Sequence, residues 1–326
     1  NISYFYGDYM YRRRYNTNNI LIFVIIILLI ALVLALIFGD FSAEEEDPQI
    51  IVDGNLVMEY AGDFGVSIEF LQMILPDYLV YTVGGEYRYH HLDSSVALND
   101  YNWDALSYTE DGRIWYNDEN YANVTYGIDI STYQGEIDWQ AVAAEGIDFA
   151  MIRIGFRGYE SGRLVLDEHC ISNIEGALAA GLEVGAYFFS QAITEDEAIE
   201  EAEMVIDTLE GYEITYPIAF DMEEITGANA RTDSLDIETT TAITKAFCKR
   251  IQDAGYEPMI YGNTKWVASR IDIAELKRYP LWFAQYYTKP LMPYDFAMWQ
   301  YTNSGSVAGI EGSVDLNICF KQPWLD

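Results

Sequence analysis

The sequence predicts an α/β fold: a modified TIM-type barrel of five βα units and three final strands. Ahead of it come one N-terminal transmembrane helix and a small β-containing or mixed membrane-proximal domain. Two observations predict the barrel. From Tyr126 onward, strand-like and helix-like stretches alternate five times, and three further strand-like runs then follow with no helix between them. A third observation, an unbroken apolar run near the amino terminus, predicts the membrane helix.

That run, Ile20 to Phe38, holds 19 apolar residues. As a helix it would reach about 28 Å, close to the ~30 Å hydrocarbon thickness of a bilayer. It exceeds the about 7 to 15 apolar residues of a secretory signal and is followed by Gly39, Asp40 and the acidic Glu44 to Asp47, so residues 19–39 read as an uncleaved single-pass anchor. Arg12, Arg13 and Arg14 precede it, which places residues 1–18 in the cytoplasm and the rest outside the cell membrane. The first residue is Asn1 and not Met, which predicts that other residues precede it. Residues 40–49 read as a solvated acidic linker.

Residues 50–123 are rich in Tyr, Asp and Asn. The alternation Tyr87-Arg88-Tyr89-His90 and the turn signals Gly84-Gly85 and Asp111-Gly112 predict β structure, and Ser67 to Leu75 predicts a helical turn or two. His90 and His91 are adjacent and would face opposite sides of a strand, so they cannot share a metal ion. No metal or cofactor is expected. This segment is the expected docking point for a protein partner.

Residues 124–326 carry the barrel. The strand-like runs are Tyr126 to Ser131, Phe149 to Gly155, Val184 to Ser190, Pro217 to Glu223 and Pro258 to Asn263. Helices are predicted over Ile137 to Glu145, Asp167 to Ala180, Glu195 to Leu209, Ile237 to Ala254 and Thr264 to Leu276. Thr194 ahead of Glu195 and Glu197 is a start signal, and Gly181, Gly211 and Gly255 are stop signals. The last strands are Leu281 to Tyr286, Ala297 to Tyr301 and Val314 to Phe320.

Charge narrows the function. The chain of 326 residues has 18 Lys and Arg against 52 Asp and Glu, a net charge of −34, which excludes nucleic acid as a partner because each phosphate contact needs a cation. Three Cys without CxxC spacing argue against a disulfide framework or a structural zinc site. With only three His, a centre built from carboxylates is the economical expectation.

Four acids fall at strand ends: Asp129 on the first strand, Asp221 and Glu223 on the fourth, and Asp315 on the eighth. Strand residues two apart share a face, so Asp221 and Glu223 should project together into the barrel mouth. The first and eighth strands become neighbours on closure, which brings Asp129 and Asp315 to the same bowl. Crowded carboxyls raise at least one pKa, and an acid kept protonated near neutral pH can protonate a glycosidic oxygen. Tyr133, Tyr187, Tyr261, Trp282, Tyr286, Trp299 and Tyr301 also lie at or near strand ends and suggest a carbohydrate groove.

Several motifs carry a resemblance in combination and order: Tyr126-Gly127-Ile128-Asp129-Ile130-Ser131 with Gln134-Gly135 and Ile137-Asp138-Trp139, Ile152-Arg153-Ile154-Gly155, Asp221-Met222-Glu223, Trp282-Phe283-Ala284-Gln285-Tyr286, Trp299-Gln300-Tyr301 and Val314-Asp315-Leu316-Asn317. The chain from about Tyr126 to its end resembles glycoside hydrolase family 25, the Chalaropsis-type lysozymes. That resemblance implies a muramidase acting on peptidoglycan glycan strands. It implies Glu223 as general acid, Asp221 orienting the acetamido group or stabilising positive charge, and Asp129 and Asp315 completing an acidic bowl. Arg153, Gln285 and Asn317, inside these motifs, join the aromatics as candidate substrate-binding residues. The alternative is a wall-binding or scaffold protein docking a partner through residues 50–123, which the presence of all four acids weighs against.

Overall fold

The barrel strands are buried on both faces, and successive residues join two different clusters: Phe149, Met151, Ala219, Met259 and Trp282 fill the interior, while Ala150, Ile152, Ile218, Phe220 and Phe283 face the outer layer. The computed structural model describes residues 57–59, 61–63 and 65–325, all within one compact unit, Asp53–Asp326. The expected span Ile20 to Phe38, with the cytoplasmic segment and acidic linker around it, lies outside the described residues. Among those described, no helix is long and apolar enough to cross a membrane.

Helix α1 (Ile68–Ile74) begins where the Ser67 side chain accepts from the Phe70 amide. It is followed by an antiparallel hairpin of β1 (Tyr78–Val83) and β2 (Glu86–His91), turned by Gly84 and Gly85 at φ of 61° and 84°. A second hairpin, β3 (Leu106–Tyr108) and β4 (Ile114–Tyr116), spans the predicted Asp111-Gly112 turn.

Eight strands then close the barrel. β5 (Thr125–Ile130), β6 (Phe149–Arg157), β8 (Glu183–Phe189), β9 (Ile218–Asp221), β10 (Pro258–Asn263), β11 (Leu281–Ala284) and β12 (Met298–Gly305) pair in parallel in that order. β13 (Val314–Cys319) closes the ring antiparallel to both β12 and β5. The short β7 (Leu164–Leu166) folds back on β6 and stands outside the ring.

Helices follow the first five barrel strands. They are α2 (Trp139–Ala144), α3 (Cys170–Ala179), α4 (Glu195–Leu209), α5 (Ile237–Asp253), and the pair α6 (Thr264–Ser269) and α7 (Ile273–Leu276). Thr194 caps α4 by accepting from the Glu197 amide, and three acids in its first turn favour the helix dipole. The single helix expected over Thr264 to Leu276 is broken in two. Asp272 bonds locally to the Ala274 amide while its own amide donates to Thr241 Oγ1, and these bonds replace those of a continuous helix.

The interior core holds Phe149, Met151, Ala219, Met259, Trp282 and Met298. A side chain on Gly127 would overlap the Phe149 ring, so the closed barrel requires glycine there. The outer faces of the early strands are covered by the helices, but β11, β12 and β13 have none to cover them. Residues 92–123 lie there instead. Tyr101 packs on Phe320 and Phe296 at ring centroid distances of 4.5 and 5.2 Å, Tyr116 meets Phe320 at 4.9 Å, and the Tyr101 hydroxyl donates to the Phe296 carbonyl. Such aromatic pairs contribute about 0.5–1.5 kcal/mol each beyond area burial.

Candidate active site

Each of the eight strands sends at least one side chain to the same mouth, among them Asp129, Arg153, Tyr187, Asp221, Tyr261, Trp282, Gln300 and Asp315. Glu223 and Tyr286 join them from the loops, each two residues past a strand end. Together they line a cavity of about 410 Å³. Asp315 arrives differently from its companions. β13 runs against its neighbours, so Asp315 sits at the leading end of its strand and pairs with Asp129 at the trailing end of β5. Asp315 thus stands at the amino end of its strand, and the expected shared bowl of Asp129 and Asp315 is present.

A hydrogen-bond network fixes the Asp129 side of the cavity. The hydroxyls of Tyr261 and Tyr286 donate to Gln300 Oε1 at 2.9 and 2.8 Å. That turns Gln300 Nε2 toward the acids, where it donates to Asp129 Oδ2 at 2.8 Å and to Asp315 Oδ2 at 3.2 Å. Asn317 Nδ2 also donates to Asp129 Oδ2, at 2.8 Å, while Trp282 Nε1 donates to Asn317 Oδ1 at 2.8 Å. On the other side, Arg153 is held by Asp167 through Nε at 2.9 Å and Nη2 at 2.8 Å. Its guanidinium carbon lies 5.2 Å from the ring centroid of Tyr133, which stands 83% exposed at the lip.

Removal from water raises the pKa of all four carboxyls. Burial pushes Asp129 up, although donors from Asn317 and Gln300 favour its charged form. Asp315 is pushed up to about 9 by burial and by the Asp129 charge. The donors therefore favour charge on Asp129 and leave the proton on Asp315. Burial, with Glu223 alongside, holds Asp221 well above the usual carboxylate range. Glu223 is pushed up to about 7 by burial and by Asp129. Among the described residues, buried Asp221 Oδ1 has no hydrogen-bond partner, an acceptor left open toward a ligand.

Of the expected substrate-binding residues, Tyr133, Arg153, Tyr187, Tyr261, Trp282 and Tyr286 line the cavity. Trp299 and Tyr301 do not, because alternation turns them to the outer face of β12; Trp299 Nε1 donates to the Gln285 carbonyl at 2.7 Å. The Gln285 side chain accepts from the Leu291 amide at 2.7 Å and shapes the loop after β11. Asn317 is 1% exposed and reaches the cavity through Asp129 and Trp282. Sequence reasoning missed Gln300, although the same alternation that turns Trp299 and Tyr301 outward points it inward. Among the described residues, no group of three or more His, Cys, Asp and Glu is arranged to hold a metal ion.

Buried carboxyls gathered at the mouth of an eight-stranded barrel are an arrangement that glycoside hydrolases use. Residues 128–310 match the model of glycosyl hydrolases family 25, and the chain belongs to that family. It is 29% identical over 192 residues to an autolytic lysozyme of Clostridium acetobutylicum, covering 59% of this chain and 54% of that one. Among solved structures, it resembles the modular autolysin LytC from Streptococcus pneumoniae with a TM-score of 0.54 and 24% identity, over 74% of this chain and 56% of the other. A family 25 glycosyl hydrolase from Bacillus anthracis is similar with a TM-score of 0.53 and 24% identity, over 64% and 94%. The chain thus spans little more than half the length of the clostridial lysozyme and the pneumococcal autolysin.

Proposed function

We propose that this protein is a membrane-anchored muramidase that hydrolyses the β-1,4 bond between N-acetylmuramic acid and N-acetylglucosamine in peptidoglycan. The observation that carries the reading is the single cavity in which Glu223 stands beside Asp221, Asp129 and Asp315. Glu223 gives its proton to the glycosidic oxygen as the bond from that oxygen to C1 breaks. Water supplies the hydroxyl that ends on C1, and its remaining proton restores Glu223. The open oxygen of Asp221 suits an acetamido N–H or the positive charge that develops on the sugar. Similarity to an autolytic lysozyme supports the substrate class.

Residues 19–39 hold the enzyme at the membrane, with residues 1–18 in the cytoplasm and the barrel outside, where it cuts the wall locally. Protease added to cells stripped of wall should degrade the barrel; protection would reverse this orientation. Purified peptidoglycan incubated with the protein should release fragments ending in reducing N-acetylmuramic acid, identified by mass analysis. Reducing N-acetylglucosamine ends, or no products from folded protein, would overturn the muramidase reading.

The network around Asp129 has its own consequence. Gln300→Leu removes two donors from the Asp129–Asp315 pair, and hydrogen bonds to charged groups are worth about 1.5–3 kcal/mol. If that interaction is made in the transition state, kcat/KM falls roughly ten- to hundredfold. Losing the donors raises the Asp129 pKa further, so the acid limb of the pH profile moves to higher pH. An unmoved limb in a folded variant would separate Gln300 from catalysis.

A further inference from the structure

We propose that residues 57–123 build a second glycan-binding subsite that continues the catalytic cavity, so that the enzyme grips a strand beyond the sugars it cuts. The inference rests on the glycan-cutting reading above. A cavity of about 570 Å³ adjoins the catalytic one and shares Tyr286 and Asn303 with it. One wall is Tyr108 and Ile114 from the β3–β4 hairpin, with Glu69 of α1; the other is Tyr287 and the β12 rim at Thr302. Tyr108, Ile114 and Glu69 all lie outside the matched family region, residues 128–310. This wall is therefore an addition of this chain to the barrel.

The chemistry of the walls selects the occupant. Tyr108, Tyr286 and Tyr287 are 53%, 48% and 40% exposed, whereas the aromatics beneath the same strands are buried. Two of the three are tethered at their polar ends. Tyr108 donates its hydroxyl to the Thr288 carbonyl at 2.6 Å, and Tyr286 donates to Gln300 at 2.8 Å. Their rings are held in place with apolar surface bare, so a ligand that stacks on them orders little side-chain freedom. Flat rings set among hydroxyl and amide groups suit the apolar face and the hydroxyls of a sugar, and among the described residues Glu69 is the one charged side chain on the lining. Because Tyr286 belongs to both cavities, a strand leaving the catalytic site meets these rings next.

The test uses the full chain and peptide-free peptidoglycan glycans of two and of about six disaccharide repeats. Wild-type kcat/KM should rise with length. Tyr108→Ala and Tyr287→Ala should each lower it about tenfold on the long glycan and leave the short one unchanged. Equal losses on both lengths, or none, overturn the subsite. Binding of the long glycan to Glu223→Gln, with and without Tyr108→Ala, gives a readout independent of turnover: about tenfold weaker binding is expected, and unchanged affinity overturns the proposal. If folded wild type cuts neither length, the glycan-cutting reading fails and the binding comparison alone decides the subsite. An effect confined to strands that still carry stem peptides would assign the cavity to peptide and overturn the glycan assignment.

Discussion

Glu223→Gln should lower turnover on peptidoglycan by roughly 10²- to 10⁴-fold while leaving the fold and glycan affinity intact. The substitution keeps shape and removes only the transferable proton. The backbone at Glu223 stays anchored, since its carbonyl accepts from Gln191 Nε2 at 3.3 Å. Asp315 also holds a proton, but it is committed to the network that contains Asp129 and Gln300. Asp221 also stands well above the usual carboxylate range, and of the two acids outside that network Glu223, at about 7, is the one we assign as donor. Its pKa of about 7 sets the sign of the pH dependence. The general acid must be protonated, so activity falls as pH rises through about 7, and this alkaline limb should vanish in the residual activity of the variant. Reducing-end release across pH measures both effects, with circular dichroism as the check on folding. Full activity in Glu223→Gln would assign the proton donor elsewhere.

The largest effect on stability is expected outside the cavity, at Arg157. Its Nε donates to Glu201 Oε1 at 2.7 Å, with the two side chains 4% and 0% exposed. Its Nη1 donates to the Gly162 carbonyl and its Nη2 to the Glu197 carbonyl, each at 2.8 Å, which ties the β6 end to α4. Arg157→Met leaves a buried acid without its cation, and breaking such a pair costs about 3–5 kcal/mol. Burial pushes Glu201 up to about 7 even with Arg157 present, so the folded state binds that proton more tightly than the unfolded state, where the ordinary value is 4.5. The stability from that proton is fully present below about 4.5 and is lost as pH rises through about 7. The cost of Arg157→Met should accordingly be near its full value at pH 8 and smaller at pH 5, where Glu201 is neutral. Urea unfolding at both pH values measures it, and Arg157→Met combined with Glu201→Leu should recover most of the loss. An equal loss at both pH values would sink this account.

Local signals made much of the fold readable. Ser67, Thr194 and the Gly84-Gly85 pair are short-range devices, and each sits where the sequence predicts a helix start or a turn. The division of Thr264 to Leu276 was not readable, because Thr241, which takes the Asp272 amide, comes from α5. In the candidate site, Asp221 and Glu223 announce themselves by spacing. Trp299 misleads, since an aromatic near a strand end stacks equally well on either face, and only the strand phase separates it from Gln300.

By itself the sequence determined the number and order of the eight ring strands, the acids available to the mouth and an acidic character spread over the chain. Periodicity, capping residues and charge act over a few residues and survive being read in one dimension. Tertiary structure alone decided that β13 runs backward, that Asp315 shares Gln300 with Asp129, and that residues 92–123 cover the strands that lack helices. Those features depend on strand direction and on contacts between residues up to about 200 positions apart, as between Asn317 and Asp129 at a separation of 188. Only closing the barrel brings them together, and only that closure removes the carboxyls from water and sets their proton affinities.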